Sequence, residues 1–231
     1  MDKQTQKELL QIVEKNYEDI AEQFDETRKK HLWPELINWV NEVPAGAHVL
    51  DVGCGNGRLL EAFRSKGINY LGVDKSNKLI DLARVHYQQN KFLVGDILEL
   101  SKVPEINFDY IFCIAVLQHI PGKNLQIDVL KQLRSKMNEN GKIFLAIWNM
   151  WSQEKFRRLI LKFILLKLIK KNKMDIGDVL FDWKNAQGMV VSKRYYHAFR
   201  KRELKSILKK AGFKIDKLYH DKYNYYCIAS K

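Results

Sequence analysis

The sequence predicts an α/β fold, doubly wound around a mainly parallel sheet, with helices added at the N-terminus. Three observations predict it. Short apolar runs alternate with amphipathic helical stretches between residues 47 and 150. The first run ends in a glycine-rich turn directly before a helical stretch, and a closing pair of strand-like runs ends the chain. Apolar strands alternating with helices form βαβ units, which give a parallel sheet covered on both faces with right-handed crossovers.

Each element follows from its pattern. Residues 4–23 carry Leu9, Ile12, Val13, Tyr17 and Ile20, with Phe24 next, at spacings of three and four, an amphipathic helix. A second short helix starts at Pro34, a favoured first-turn residue, and runs through Leu36, Ile37, Trp39 and Val40. HVLDVG is the first strand, and GRLLEAFRSKG a helix closed by Gly67. NYLGVD, FLVGD, FDYIFCIAVL and KIFLAIW are the next four strands. KLIDLARVHYQ is a helix between the first two of these, and LQIDVLKQLRSKM is a helix that stops near Gly141. After Trp151 the alternation breaks: residues 152–173 read as a basic helix and 174–193 as irregular. KRELKSILKKAGF is a helix with Gly212 at its C-cap, and FKIDKLYH with YYCIAS form an antiparallel hairpin around Asp221–Asn224.

Composition narrows the function. The 231 residues are 46% hydrophobic and 29% charged, with 4 Pro and 12 Gly, which excludes disordered and collagen-like chains. Cys54, Cys113 and Cys227 have neither disulfide-framework nor metal-ligand spacing, so no metal site is expected. The start, MDKQTQKELLQ, reads as no signal peptide, and the apolar stretch 159–169 is broken by Lys162 and Lys167. A cytoplasmic location without stable membrane association is expected. The net charge is +13, and its distribution is lopsided. Residues 1–150 hold 19 basic and 20 acidic residues, whereas 151–231 hold 21 and 7. That pattern suits a neutral catalytic body with a polyanion-facing appendage. One domain over 1–231 is expected, with a helical lid (1–46), a core (47–150) and a basic insertion plus closing strands (151–231).

The chemistry concentrates at Asp51-Val-Gly53-Cys54-Gly55-Asn-Gly57, between a strand and a helix. The GxGxG spacing fits neither the dinucleotide fingerprint nor Walker A. An acidic residue before the glycines repels pyrophosphate and attracts an ammonium or sulfonium. Asp74 ends the second strand, where a carboxylate accepts hydrogen bonds from a ribose diol. Asp96 and Ile97 end the third, suited to the amino edge and face of adenine. Together they describe S-adenosylmethionine.

With DVGCGNG, GVD and VGD in place, residues 47–150 resemble the class I S-adenosylmethionine-dependent methyltransferases. The resemblance implies a seven-stranded sheet with an antiparallel last strand. It also implies cofactor contacts at Asp51, Gly53, Cys54, Gly55, Gly57, Asp74, Lys75, Asp96, Ile97, Ile114 and Ala115. The stretch Tyr17 to Arg28 with Trp33-Pro34, the segment Ala115-Val116-Leu117-Gln118-His119-Ile120, Ile147-Trp148, and Arg194-Tyr195-Tyr196-His197-Ala-Phe199-Arg200-Lys-Arg-Glu203-Leu204 resemble the eukaryotic tRNA wobble-uridine methyltransferases. Those enzymes methylate the carboxylate of 5-carboxymethyluridine in the anticodon loop. The chain departs from the family in a short, basic segment between Trp151 and Tyr195, in Gln118 where a His is frequent, and in Asn224-Tyr225-Tyr226-Cys227 where tryptophans are frequent.

The resemblance implies Arg28, His119, His197 and Arg200 as catalytic residues, and Tyr17, Arg194, Tyr195 and Tyr196 as substrate-binding ones. Tyr195, Tyr196 and Phe199 are expected to stack on the wobble base. Partners expected are the tRNA anticodon loop and a small activating subunit. Two other readings stay open: a class I methyltransferase of a small-molecule carboxylate or hydroxyl, and a non-catalytic S-adenosylmethionine- and RNA-binding protein.

Overall fold

The computed structural model describes residues 1–27, 32–184 and 187–231. Its main sheet has seven strands: β1 (His48–Val52), β2 (Asn69–Asp74), β3 (Lys91–Val94), β4 (Phe108–Ile114), β5 (Met137–Trp148), β8 (Lys214–His220) and β9 (Asn224–Ser230). They lie in the order β3-β2-β1-β4-β5-β9-β8. β1 to β5 run parallel, and β9 is antiparallel to both β5 and β8. The seven strands and the antiparallel last strand agree with the sequence-based expectation.

Successive residues of the strands feed opposite cores, which is why the runs read as continuously apolar. Leu50, Ile111, Cys113, Ile143 and Leu145 pack with Leu130 and Leu133 of α5 (Lys123–Lys136) and with Leu204, Ile207 and Leu208 of α7 (Lys201–Lys210). Val49, Phe112, Phe144 and Ala146 pack on the other face. There they meet Leu36, Trp39 and Val40 of α2 (Pro34–Glu42) and Ile80 and Ala83 of α4 (Asn77–His86). Strand order reverses between β1 and β4, and the carboxyl ends at such a switch point form the crevice of an open α/β sheet.

Three expectations need correction. The helix after the glycine turn is only α3 (Leu60–Phe63). Around it the chain winds through three-residue bonds, such as Leu60 N–H to Gly57 O and Glu61 N–H to Arg58 O. The helix expected to stop near Gly141 ends at Lys136, and Gly141 lies inside β5. Residues 174–193 are not irregular. They hold β6 (Asp178–Lys184) and most of β7 (Val190–His197), a separate antiparallel hairpin. α1 (Lys3–Thr27) packs on β7 and α4. The basic helix is α6 (Glu154–Leu168), seated on the hairpin through Ile160, Phe163 and Ile164. Among the described residues no helix is long and apolar enough to cross a membrane.

Candidate active site

One cavity lies at the carboxyl ends of β1 to β5, roofed by α1 and the segment before α2. The glycine turn forms its floor. Gly53 has φ +71°, and a Cβ there would lie 2.2 Å from Val116 Cγ2. Only glycine allows the turn and Val116 to approach so closely. Gly53 N–H donates to Val73 O at 2.7 Å, and Gly55 N–H to Asp74 Oδ2 at 2.9 Å. Cys54 is buried and lines the cavity. Gly57 does not line it. A Cβ there would meet the Phe92 ring at 2.9 Å, so its role is packing and the expected cofactor contact is corrected.

The three carboxylates share the cavity. Asp51 is buried, and its Oδ2 accepts a 2.8 Å hydrogen bond from the Tyr70 hydroxyl. Burial, with the nearby Asp74 charge, pushes its carboxyl up to about 7, against the Tyr70 hydrogen bond and the Arg58 charge. Asp74 Oδ1 accepts from Ser76 N–H at 2.9 Å. Burial raises the Asp74 carboxyl, and its backbone hydrogen bonds oppose that rise. Asp96 caps the turn at Leu98 N–H and pairs with Lys75 at 2.9 Å; the same ammonium reaches Glu14 of α1 at 2.9 Å. Ile97, Ile114 and Ala115 complete this half, Ala115 in the left-handed region at φ +58°.

The β4–β5 side is different in kind. The turn after β4 carries His119, whose Nδ1 lies 3.3 Å from Tyr195 O and whose Nε2 lies 2.9 Å from the Tyr17 hydroxyl. A carbonyl only accepts, so Nδ1 carries the proton and Nε2 accepts from Tyr17. Burial pushes the imidazole down to about 3, and the Arg194 charge adds to that, so His119 is neutral at ordinary pH. Arg194 and Tyr196 line the cavity beside it. The Arg194 guanidinium lies 3.5 Å over the Trp183 ring, and its Nη1 donates to the Tyr196 hydroxyl at 3.5 Å.

β7 explains how four adjacent residues of the RYYH stretch divide. Successive strand side chains point to opposite faces. Arg194 and Tyr196 reach the cavity, whereas Tyr195 and His197 do not line it. Tyr195 donates to Asp178 Oδ1 at 2.8 Å and packs with Leu9 and Met174. His197 is held between Asp178 Oδ1 at 2.6 Å and Glu203 Oε1 at 3.1 Å. Expected as catalytic, it is buried in a structural ion cluster instead. Arg200 is also corrected: it is exposed, outside the cavity lining, with its guanidinium 4.1 Å over the Trp151 ring. The expected base stacking also fails. Tyr196 is stacked against both Trp148 (5.0 Å) and Phe181 (5.2 Å), and Tyr195 and Phe199 are fully buried. Arg28 lies outside the described residues.

Sequence reasoning missed four groups. Arg58 lines the cavity next to the glycine turn, where its position after Gly57 was the available signal. Trp148 belongs to the Ile147-Trp148 pair, which implies no role by itself, and Trp183 sits in no motif. Asp25 of α1 takes 2.7 Å and 3.0 Å bonds from Asn56 and His86, a polar latch visible only in three dimensions.

The His197 cluster gives a pH prediction. Burial lowers the imidazole, but the hydrogen bonds and charges of Asp178 and Glu203 outweigh it and hold it up at about 9. A histidine raised in the folded state stabilises fully below its ordinary value of 6.5, and that stability is lost as pH rises through about 9. Thermal unfolding should therefore show Tm falling between pH 7 and 9.5 in the wild type. In His197→Gln the profile should be flatter, from a start lowered by on the order of 3–5 kcal/mol because the buried Asp178 and part-buried Glu203 lose their cation.

A family model described as a methyltransferase domain matches residues 14–218. The chain is 26% identical over 228 residues to a tRNA (carboxymethyluridine(34)-5-O)-methyltransferase of Schizosaccharomyces pombe, covering 96% of both chains. It is 33% identical over 138 residues to the protein of that name in Saccharomyces cerevisiae, 60% of this chain and 48% of the relative. It thus spans about half the length of that relative. Among solved structures, a methyltransferase from Methanosarcina mazei matches with a TM-score of 0.70 at 20% identity, over 87% of this chain and 99% of its own. Magnesium protoporphyrin IX methyltransferase from Synechocystis, with bound S-adenosylhomocysteine, matches with a TM-score of 0.63 at 19% identity, over 96% and 99%.

Proposed function

Since this chain belongs to the S-adenosylmethionine-dependent methyltransferases, we propose that it methylates the carboxylate of 5-carboxymethyluridine at the tRNA wobble position. S-adenosylmethionine is its cofactor, and the residues fit it. The turn is pressed against Val116 so closely that a single Cβ would fill the gap, and three carboxylates converge on one cavity. Asp51 and Arg58 would hold the amino-acid end, Asp74 the ribose diol, and Asp96 with Ile97 the adenine. Bound there, the cofactor supplies a methyl group on a sulfonium, which an ionised carboxylate can take up without a general base.

The observation that carries the substrate reading is the buried Arg194 on the β4–β5 side of the same cavity, beside a neutral His119. Arg grips a carboxylate through a planar fork. Trp183 and Tyr196 hold the guanidinium still, so orientation is set before the substrate arrives. Neutral His119 adds no competing positive charge, and it fixes the Tyr17 hydroxyl. The near-full-length relative in S. pombe supports the same reading.

The deciding experiment incubates purified protein with methyl-labelled S-adenosylmethionine and tRNA lacking this methylation, then treats half of each sample with mild alkali. A uridine label that alkali releases as methanol supports the carboxyl ester. An alkali-stable label moves the chemistry to a ring or ribose atom. No label on tRNA, with or without an added activating subunit, favours a small-molecule acceptor.

Cofactor affinity should also follow pH. An acid held at about 7 is half neutral at that pH, and a cationic ligand favours its ionised form. Affinity measured by calorimetry should rise from pH 6 to 8 and level off above. In Asp51→Asn it should be weaker and nearly flat.

A further inference from the structure

Three segments far apart in sequence converge just beyond Trp148, a wall of the cavity. Trp151 follows three residues later, separated by at most about 11 Å of chain. Its indole N–H donates to Ala198 O at 2.9 Å, and the Arg200 guanidinium lies on its ring. The same turn grips the β8–β9 turn. Asn149 N–H donates to Tyr223 O at 2.7 Å, Asn149 Nδ2 to Asp221 O at 3.0 Å, and the Ser152 hydroxyl to Lys222 O. α6 starts directly after, with Lys155 and Arg157 exposed on its first turn.

The charges here are not neutralised locally. Lys155, Arg157, Arg200, Lys201 and Lys222 are exposed, and none forms an ion pair among the described residues. Of the acids nearby, Asp221 spends its oxygens on Tyr223 N–H, Asn224 N–H and the Tyr226 hydroxyl. Glu154 pairs with Arg158. Two aromatics are interleaved with the cations: Trp151, part-exposed under Arg200, and Tyr223, 59% exposed. Cations alternating with exposed aromatics are the footprint of a single-stranded nucleic acid track. A guanidinium laid on an indole keeps its planar fork fixed for phosphate oxygens.

We propose that the patch of Trp151, Arg200, Lys222 and Tyr223, edged by Lys155 and Lys201, docks an RNA backbone and delivers its unpaired nucleotide to the cavity. This rests on the tRNA reading above and names the surface that reading requires. Arg200, Lys222 and Lys155 take phosphates, and Tyr223, with the Lys222 ammonium 5.8 Å over one face of its ring, offers the other face to a base.

The test measures binding of an anticodon stem-loop hairpin to full-length protein between 50 and 200 mM KCl. The triple variant Lys155→Ala/Arg200→Ala/Lys222→Ala is expected to bind about tenfold or more weakly at 100 mM. Its slope of log affinity on log salt should flatten by about 2–3, since each lost phosphate contact removes about 0.7–0.9. Tyr223→Ala should weaken binding and keep the slope. Unchanged S-adenosylmethionine affinity shows that the variants are folded. A triple variant that binds the hairpin as the wild type does, with the same slope, overturns the patch and leaves the tRNA reading standing. Wild-type protein with no salt-dependent affinity for the hairpin overturns both.

Discussion

Arg194→Ala is expected to lower methyl transfer to tRNA by about two orders of magnitude, with cofactor affinity within about twofold of the wild type. The guanidinium is buried on the β4–β5 side of the cavity and held by Trp183 and Tyr196. On the proposed reading it orients the acceptor carboxylate, and a misplacement of about 1 Å costs about 10²-fold. The carboxylates proposed to hold the cofactor have other partners: Asp51 is held by Tyr70, Asp74 by Gly55 and Ser76, and Asp96 by Lys75 and Leu98. Arg194→Lys should recover little, because an ammonium lacks the fork. Single-turnover methylation and equilibrium cofactor binding, measured on the same preparations, separate the two quantities. Equal losses in both would assign Arg194 to the cofactor site instead.

Asp74→Ala is expected to weaken cofactor binding by about 10–100-fold, which follows from losing hydrogen bonds to a charged acceptor worth about 1.5–3 kcal/mol. On the proposed reading the change removes the ribose acceptor, and it also frees Gly55 N–H and Ser76 N–H, so the glycine turn loses the staple that holds it to β2. Hairpin RNA affinity should stay near wild type, since the proposed docking patch lies beyond β5. Calorimetric titration with S-adenosylmethionine reads the effect directly, and an unchanged Kd would move the ribose elsewhere.

The half of the cavity that carries the three carboxylates was legible in the sequence because it is local. A strand end, a glycine turn and the acids at the next two strand ends follow one another along the chain, and each sits where a parallel sheet puts its carboxyl ends. The hairpin of β6 and β7 was not legible, for a physical reason. One face buries Asp178 opposite His197 in register, and the other face buries Arg194. Hydropathy reads charged residues as solvent-facing, so a strand buried by mutual neutralisation looks like a loop. The resemblance gave site roles to His197 and Tyr195 without showing which face of a strand they occupy. Once β7 is known to be a strand, its two-residue period separates them from Arg194 and Tyr196. Arg200 lies outside the cavity, and nothing in the motif showed Trp151 beneath it.

The two halves of the cavity also differ in when they can come into being. The cofactor side draws on adjacent βαβ units, which can collapse as they emerge from synthesis. The other side requires Tyr17 to find His119 across 102 positions, and His119 to find Tyr195 across a further 76. Contacts of such separation form late in a folding reaction. Until β7 is made, the apolar stripe of α1, with Leu9, Ile12 and Val13, has no hairpin to rest on. The nascent chain therefore passes through an interval in which the βαβ units are made and the apolar stripe of the first helix is still uncovered. That interval is when a chaperone, or early capture of cofactor, would most affect the yield of active enzyme.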